Sequence, residues 1–213
     1  MQQISIDQLS ELFAAIGAAM EAHSEELCAM DANMGDGDLG LTMKKGFCAM
    51  PQLIADASAE PDLGKRLAKA GMKMTSVVPS TMGTLMASGI MGGGKAITGA
   101  QAIDAAALAK YLRGFADGIA KRGKCQPGDR TVLDAVLPAA EAAEKAAADG
   151  CDLPSVAKAA NQGAQEGIEA TKDMIPKYGK AAVFAAKAKG IADQGAYAAG
   201  IMIGAIESFI ETN

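Results

Sequence analysis

The sequence predicts an all-α fold, and three observations carry that expectation. Apolar residues recur at three- and four-residue spacing along most of the chain, and no segment keeps the two-residue alternation of a half-buried strand. Half of the 213 residues are apolar, yet only 4% are aromatic and there is no Trp, so the core must be packed from small and flexible side chains, which suits closely packed helices better than a β-sandwich. The chain is long enough to bury one core, and no internal repeat, heptad array or disordered linker divides it, so residues 1–213 read as a single domain.

Ser5, with Gln8 three positions later, has the form of a capping box, and Leu9, Leu12, Phe13, Ile16, Met20 and Leu27 follow at helical spacing. The first helix is therefore expected to run directly into Asp31. A second helix carries Leu41, Phe47 and Met50 on one face and should end at Pro51. Pro61 and Asp62 signal the start of a third, with Leu63, Leu67 and Met74 inward. VVPSTMG, residues 77–83, reads as a loop, because Pro79 restricts Val78 and the Ser-Thr pair bonds local backbone. A short helical stretch over 85–91 is expected to break at the GGGK of 92–95. Helix resumes over 104–121, with Leu108, Leu112, Phe115 and Ile119 on one stripe, until RGKCQPGDRT, residues 122–131, interrupts it. Residues 131–148 read as a helix kinked at Pro138. Asp152 caps the next, with Pro154 in its first turn, which reaches about Met174; residues 196–210 form the closing apolar helix.

A net charge of −5 and a pI near 5.0 exclude the clustered basic surface on which nucleic-acid affinity rests. No apolar run reaches the roughly 18 residues of a membrane span, and MQQISIDQL lacks a basic segment followed by an apolar one, so the reading is a soluble, cytoplasmic protein with no membrane or nucleic-acid partner. Cys28, Cys48, Cys125 and Cys151 form no C-x-x-C pair and read as reduced, mostly buried thiols. His23 is the single histidine and is assigned a structural role, so this chain alone holds neither a His-rich metal site nor a Ser-His-Asp triad.

The chemistry is concentrated in DANMGDGDLGLTM, residues 31–43. Asp31, Asp36 and Asp38 on one glycine-rich turn repel one another unless a cation neutralises them, and hard carboxylate oxygens without His or Cys select Mg²⁺ or Ca²⁺. An EF-hand register fails: counting from Asp31, Gly35 stands at position five, Asp36 where Gly is needed and Thr42 where the bidentate Glu belongs. Mg²⁺ keeps positions open for water and phosphate, so the triplet points to a phosphorylated ligand. GIMGGGKA, residues 89–96, satisfies G-x-x-x-x-G-K but has Ala96 in place of Ser or Thr and no preceding strand, so it reads as a flexible connection rather than a phosphate loop. RGKCQPGDRT stands just before a helix N-terminus, where backbone N–H groups favour anions.

Three motifs in order, D-x-x-x-G-D-G-D-x-G at 31–40, RGK-x-x-PGD-x-T at 122–131 and G-x-x-D-x-GA at 190–196, resemble the nucleotide-binding L subunit of dihydroxyacetone kinase over nearly the whole chain. The resemblance implies an antiparallel eight-helix barrel holding two Mg²⁺ ions and ADP or ATP at one end. It assigns Asp31, Asp36 and Asp38 as metal ligands. Leu39, Gly40, Leu41, Thr42, Thr81, Met82, Gly123, Val132, Ala192, Asp193 and Gln194 become nucleotide contacts, and Lys180 matches a catalytic Arg beside the phosphates. Better-known members carry His at Leu39, Asn at Thr42, Ser at Met82 and Pro at Gln194, and Lys180 lacks the planar fork of Arg. The implied activity is phosphoryl transfer to a small ketose or polyol. The substrate would be held by a separate K-type subunit through that subunit's own histidine. The donor would be ATP, or bound ADP recharged by a phosphohistidine carrier protein; a homodimer is compatible with this assembly. The alternative is a nucleotide-bound regulatory or scaffold module with little transfer activity.

Overall fold

The ring of helices closes because the last helix packs back on the first. The computed structural model describes residues 1–184 and 188–213, apart from the side chains of Lys180 and Phe184. Its helices are α1 (Leu9–Ala22), α2 (Ser24–Ala32), α3 (Leu39–Ala55), α4 (Leu63–Val77), α5 (Thr81–Ala96), α6 (Ala105–Gly123), α7 (Leu133–Ala148), α8 (Leu153–Ala170) and α9 (Gln194–Thr212). Packing runs α1–α3–α4–α5–α6–α7–α8–α9–α1, so eight described helices form the expected all-α barrel while the short α2 lies mainly against α3. The starts of α3, α5, α7 and α9 alternate around one end with the finishes of α4, α6 and α8, as an antiparallel ring requires. At the other end β1 (Ile4–Ser5) and β2 (Ala102–Ile103) make one antiparallel bridge, too short for a periodicity reading to register. Phe47, Phe115, Ile16, Met20, Met43 and Met50 fill the interior and are almost fully buried.

Caps fix where the helices begin. Asp62, Ser80, Asp104, Asp152 and Asp193 each accept the N–H three residues on, at 2.8–3.0 Å, which satisfies a donor that the helix itself leaves unpaired. Gln8 accepts the Ser5 N–H at 3.0 Å, the reciprocal half of the capping box, although α1 starts only at Leu9.

Several sequence expectations are corrected. The first helix does not run on to Asp31: it breaks at His23, whose Nδ1 lies 2.8 Å from the Glu26 carboxylate, and apolar spacing on either side of one non-helical residue cannot register the break. Pro51 does not end α3, because Met50 and Ile54 are buried on either side and the Phe47 carbonyl, deprived of its helical donor, abuts Gly17 of α1. Leu41 does not join the Phe47–Met50 face and is 62% exposed. The VVPSTMG loop is shorter than expected, since Ser80 caps α5 and residues 81–83 form its first turn. Of the cysteines, Cys48 and Cys151 are exposed; all four are free thiols.

The GGGK segment does not break the helix. It lies inside α5, and a Cβ on Gly92 would overlap the Gly114 carbonyl of α6, while one on Gly94 would stand 2.5 Å from the Gly64 carbonyl of α4. The glycines thus serve close helix packing, and a continuous helix there offers no phosphate cradle. An exposed helical Gly→Ala change stabilises by about 1 kcal/mol. Gly94→Ala should instead destabilise by roughly 1–3 kcal/mol, because backbone rather than a flexible side chain must yield. Urea unfolding decides, and a raised midpoint would refute the packing account.

Candidate functional site

Asp31 ends α2, Asp36 stands in the connecting turn and Asp38 precedes α3. The turn is built around Asp31: its Oδ2 accepts the N–H of Gly37 at 2.9 Å and of Asp38 at 3.2 Å. Gly37 has φ +76°, and a Cβ on Gly35 would overlap the Asp31 carboxylate, so both glycines are required. Asp38 makes no side-chain cap to α3. One ligand atom from each of the three aspartates lies within 4.8 Å of the others, Asp31 buried and the other two exposed. This all-oxygen set fits a hard divalent cation.

The cluster borders a pocket of about 330 Å³. Its wall takes Leu39 from the start of α3, Thr81 and Met82 from α5, Val132 before α7, and Gln194 and Gly195 from α9. Four helix N-termini therefore converge beside the carboxylates and their dipoles favour anions, although oxygens of Thr131 and Val132 already accept the first-turn N–H groups of α7. A second hollow shares Ser80, Thr81, Leu85, Thr131, Tyr178 and Gly179 with the first and continues to Gly123 and Cys125. The joint space suits an elongated ligand with an anionic end.

A family model described as the DAK2 domain matches residues 33–208. The chain belongs to the DAK2 domain family. It is 28% identical over 193 residues to the ADP-binding subunit of the PEP-dependent dihydroxyacetone kinase of Escherichia coli, covering 91% of each chain. It is 33% identical over 189 residues to the D-erythrulose kinase of Mycolicibacterium smegmatis, covering 88% of this chain and 33% of that one. Among solved structures, the dihydroxyacetone kinase of C. freundii in complex with AMP-PNP and Mg²⁺ superposes with a TM-score of 0.64 at 26% identity, over 98% of this chain and 35% of that one.

In this DAK2 domain the residues assigned from sequence divide. Leu39, Thr81, Met82, Val132, Asp193 and Gln194 wall the pocket with Asp31, Asp36 and Asp38, and Gly123 lines the adjoining hollow. Gly40, Leu41, Thr42 and Ala192 line neither. Gly40 packs where a Cβ would overlap the Ser24 carbonyl, Leu41 points to solvent, Thr42 bonds the Asp38 carbonyl within the helix, and Ala192 lies against the core. The Lys180 side chain and residues 185–187 of the AAVFAAKAK stretch lie outside the described residues; Lys180–Phe184 forms a 3₁₀ turn.

Arg130 is a site residue that sequence reasoning did not single out, although it stands inside the quoted RGKCQPGDRT. Its side chain is fully buried and lines the pocket, with φ +58°. Its Nε donates to the Thr171 carbonyl at 3.2 Å and its Nη2 to the Ile191 carbonyl at 2.8 Å. Its Nη1 lies 3.8 Å from Asp193 Oδ2, an ion pair without a hydrogen bond. Around it, Asp134 accepts the N–H groups of Gly128 and Thr131, and Asp129 accepts that of Gln126 while pairing with Lys177, which lowers the Asp129 pKa.

Burial pushes the Asp193 carboxyl up to about 6, and the Ala196 N–H and Arg130 offset only part of that effect. Because this lies above the unfolded value of about 3.9, the stabilisation is full below about pH 4 and is lost as pH rises through about 6. Asp193→Asn keeps the cap acceptor but cannot titrate. In metal-free buffer, the unfolding free energy of wild type minus that of the variant should fall by about 1–3 kcal/mol from pH 4 to pH 7. Urea titrations at both pH values check this, and a constant difference would contradict the burial account.

Proposed function

We propose that the chain is the ADP- or ATP- and Mg²⁺-binding subunit of a kinase for dihydroxyacetone or a related small ketose. The observation that carries this reading is the three-aspartate cluster at a pocket ringed by four helix N-termini. Mg²⁺ ions, when bound, would supply positive charge that offsets the charge developing on phosphate during transfer. Asp31, Asp36 and Asp38 would hold them, the helix N-termini would receive phosphate oxygens, and Leu39, Met82 and Val132 would keep water from the walls. Lys180 would balance charge on the transferring group.

The hydroxyl acceptor would be presented by a K-type unit. His23 pairs with Glu26 and does not line the pocket, so a histidine that holds a ketone belongs to a K-type partner subunit. Similarity to a PEP-dependent ADP-binding subunit across 91% of both chains supports ADP as a retained cofactor, recharged by a phosphohistidine carrier protein. The erythrulose kinase match supports a four-carbon ketose alongside dihydroxyacetone.

Asp36→Ala should abolish Mg²⁺-dependent ADP binding in calorimetry, because two carboxylates cannot offset phosphate repulsion around the ions; unchanged affinity would remove the metal assignment. In assays with a K-type subunit, ATP or a phosphohistidine carrier should drive phosphorylation of dihydroxyacetone or erythrulose. Nucleotide binding without turnover under both donors would favour the scaffold reading instead. Lys180→Ala should lower kcat by more than it raises the nucleotide Kd, whereas equal losses would reduce Lys180 to a ground-state contact.

A further inference from the structure

Among the described residues, two buried side-chain polar atoms lack a hydrogen-bond partner: Arg130 Nη1, which at least faces Asp193, and the carbonyl oxygen of Gln194. The Gln194 amide is anchored from its other side, where Nε2 donates to Asp31 Oδ1 at 3.1 Å. That orientation is set by charge, since the reverse would place a carbonyl oxygen against a carboxylate. Gln194 also opens α9 and lines the same pocket as all three aspartates. An acceptor withdrawn from water without a donor is destabilising. The cost disappears if a cation meets the oxygen.

We propose that Gln194 supplies its side-chain carbonyl oxygen as a fourth, neutral oxygen ligand to the metal–nucleotide centre that Asp31, Asp36 and Asp38 form. The inference rests on the metal-binding reading given above. A carboxamide oxygen is a hard donor of the type Mg²⁺ and Mn²⁺ accept, and it adds a ligand without adding negative charge beside phosphate. The same side chain would then do two things at once: its N–H₂ steadies Asp31 and its C=O reaches the ion.

Mn²⁺ uptake by the ADP-loaded chain, read as loss of the free-ion electron paramagnetic resonance signal, tests the assignment without any turnover. Gln194→Met keeps the length of the side chain and removes both polar atoms, and Gln194→Ala removes the arm. Both should weaken Mn²⁺ binding about tenfold or more, while Gln194→Glu, which keeps an oxygen and loses the donor, should stay within about threefold of wild type. Unchanged affinity in the Met and Ala variants overturns the proposal. So does a Glu variant as weak as the Met variant, because the effect would then belong to the N–H₂ that orients Asp31. Wild type that takes up no Mn²⁺ with ADP present overturns the functional reading as well, which separates the two failures.

Discussion

The guanidinium of Arg130 holds the working end of the barrel together. Removing such a cation from water costs several kcal/mol unless acceptors surround it. Here the acceptors are the carbonyls of Thr171 and Ile191, which stand at the two ends of the long crossover from α8 to α9, with Asp193 close by. One buried charge therefore ties the loop before α7 to both ends of that crossover. The Thr171 hydroxyl completes the clasp, donating to the Ile168 carbonyl and accepting the Asp193 N–H. Asp193 then caps α9, and the next residue touches Asp31. Segments about 100 and 160 residues apart in sequence become one rigid wall because few alternative arrangements would satisfy that cation.

This wall sorts the acidic residues into two kinds. Asp134 spends both oxygens on backbone N–H groups of its own loop and Asp129 divides its own between the Gln126 N–H and Lys177, so they shape the Pro-Gly turn and have little left to offer a ligand. Asp31 divides its oxygens, one folding the glycine turn and one facing Gln194, and thereby sets Asp38 at the head of α3. Four helix N-termini beside the cluster favour phosphate for the same reason that the carboxylates favour cations. The two preferences are met together by a metal-bound phosphate, and either charge alone would leave the other group uncompensated.

The parts of this arrangement that were legible in the sequence are those written in adjacent letters. The aspartate triplet is contiguous, its donor chemistry is unambiguous, and the capping aspartates stand directly before the helices they start. The glycines of α5 misled because local propensity treats Gly as a breaker, whereas Gly92 and Gly94 answer to Gly114 and Gly64 on neighbouring helices. Leu41 misled for another reason: it is apolar, but six and nine positions from Phe47 and Met50 it lies across α3 from the stripe of Leu39, Met43, Phe47 and Met50 that the barrel buries. Arg130 and Gln194 gain their roles from partners some 40 to 160 residues away, and no periodicity encodes such a meeting.

Leu39 shows what the apolar departures do physically. It is 4% exposed and lines the pocket next to Asp38, so its side chain forms dry floor where a histidine would bring a dipole or a charge. Met82, at the start of α5, adds a second apolar surface to the same space. Apolar side chains at these positions offer no hydrogen bond to a bound ligand, but they also lower the local dielectric, and every charge interaction nearby strengthens as water is excluded. The three clustered carboxylates, the helix N-termini and the buried Arg130 all stand around that drier floor. The apolar side chains thus shape the wall of the pocket, while its electrostatic frame lies in the carboxylates and the helix N-termini beside them.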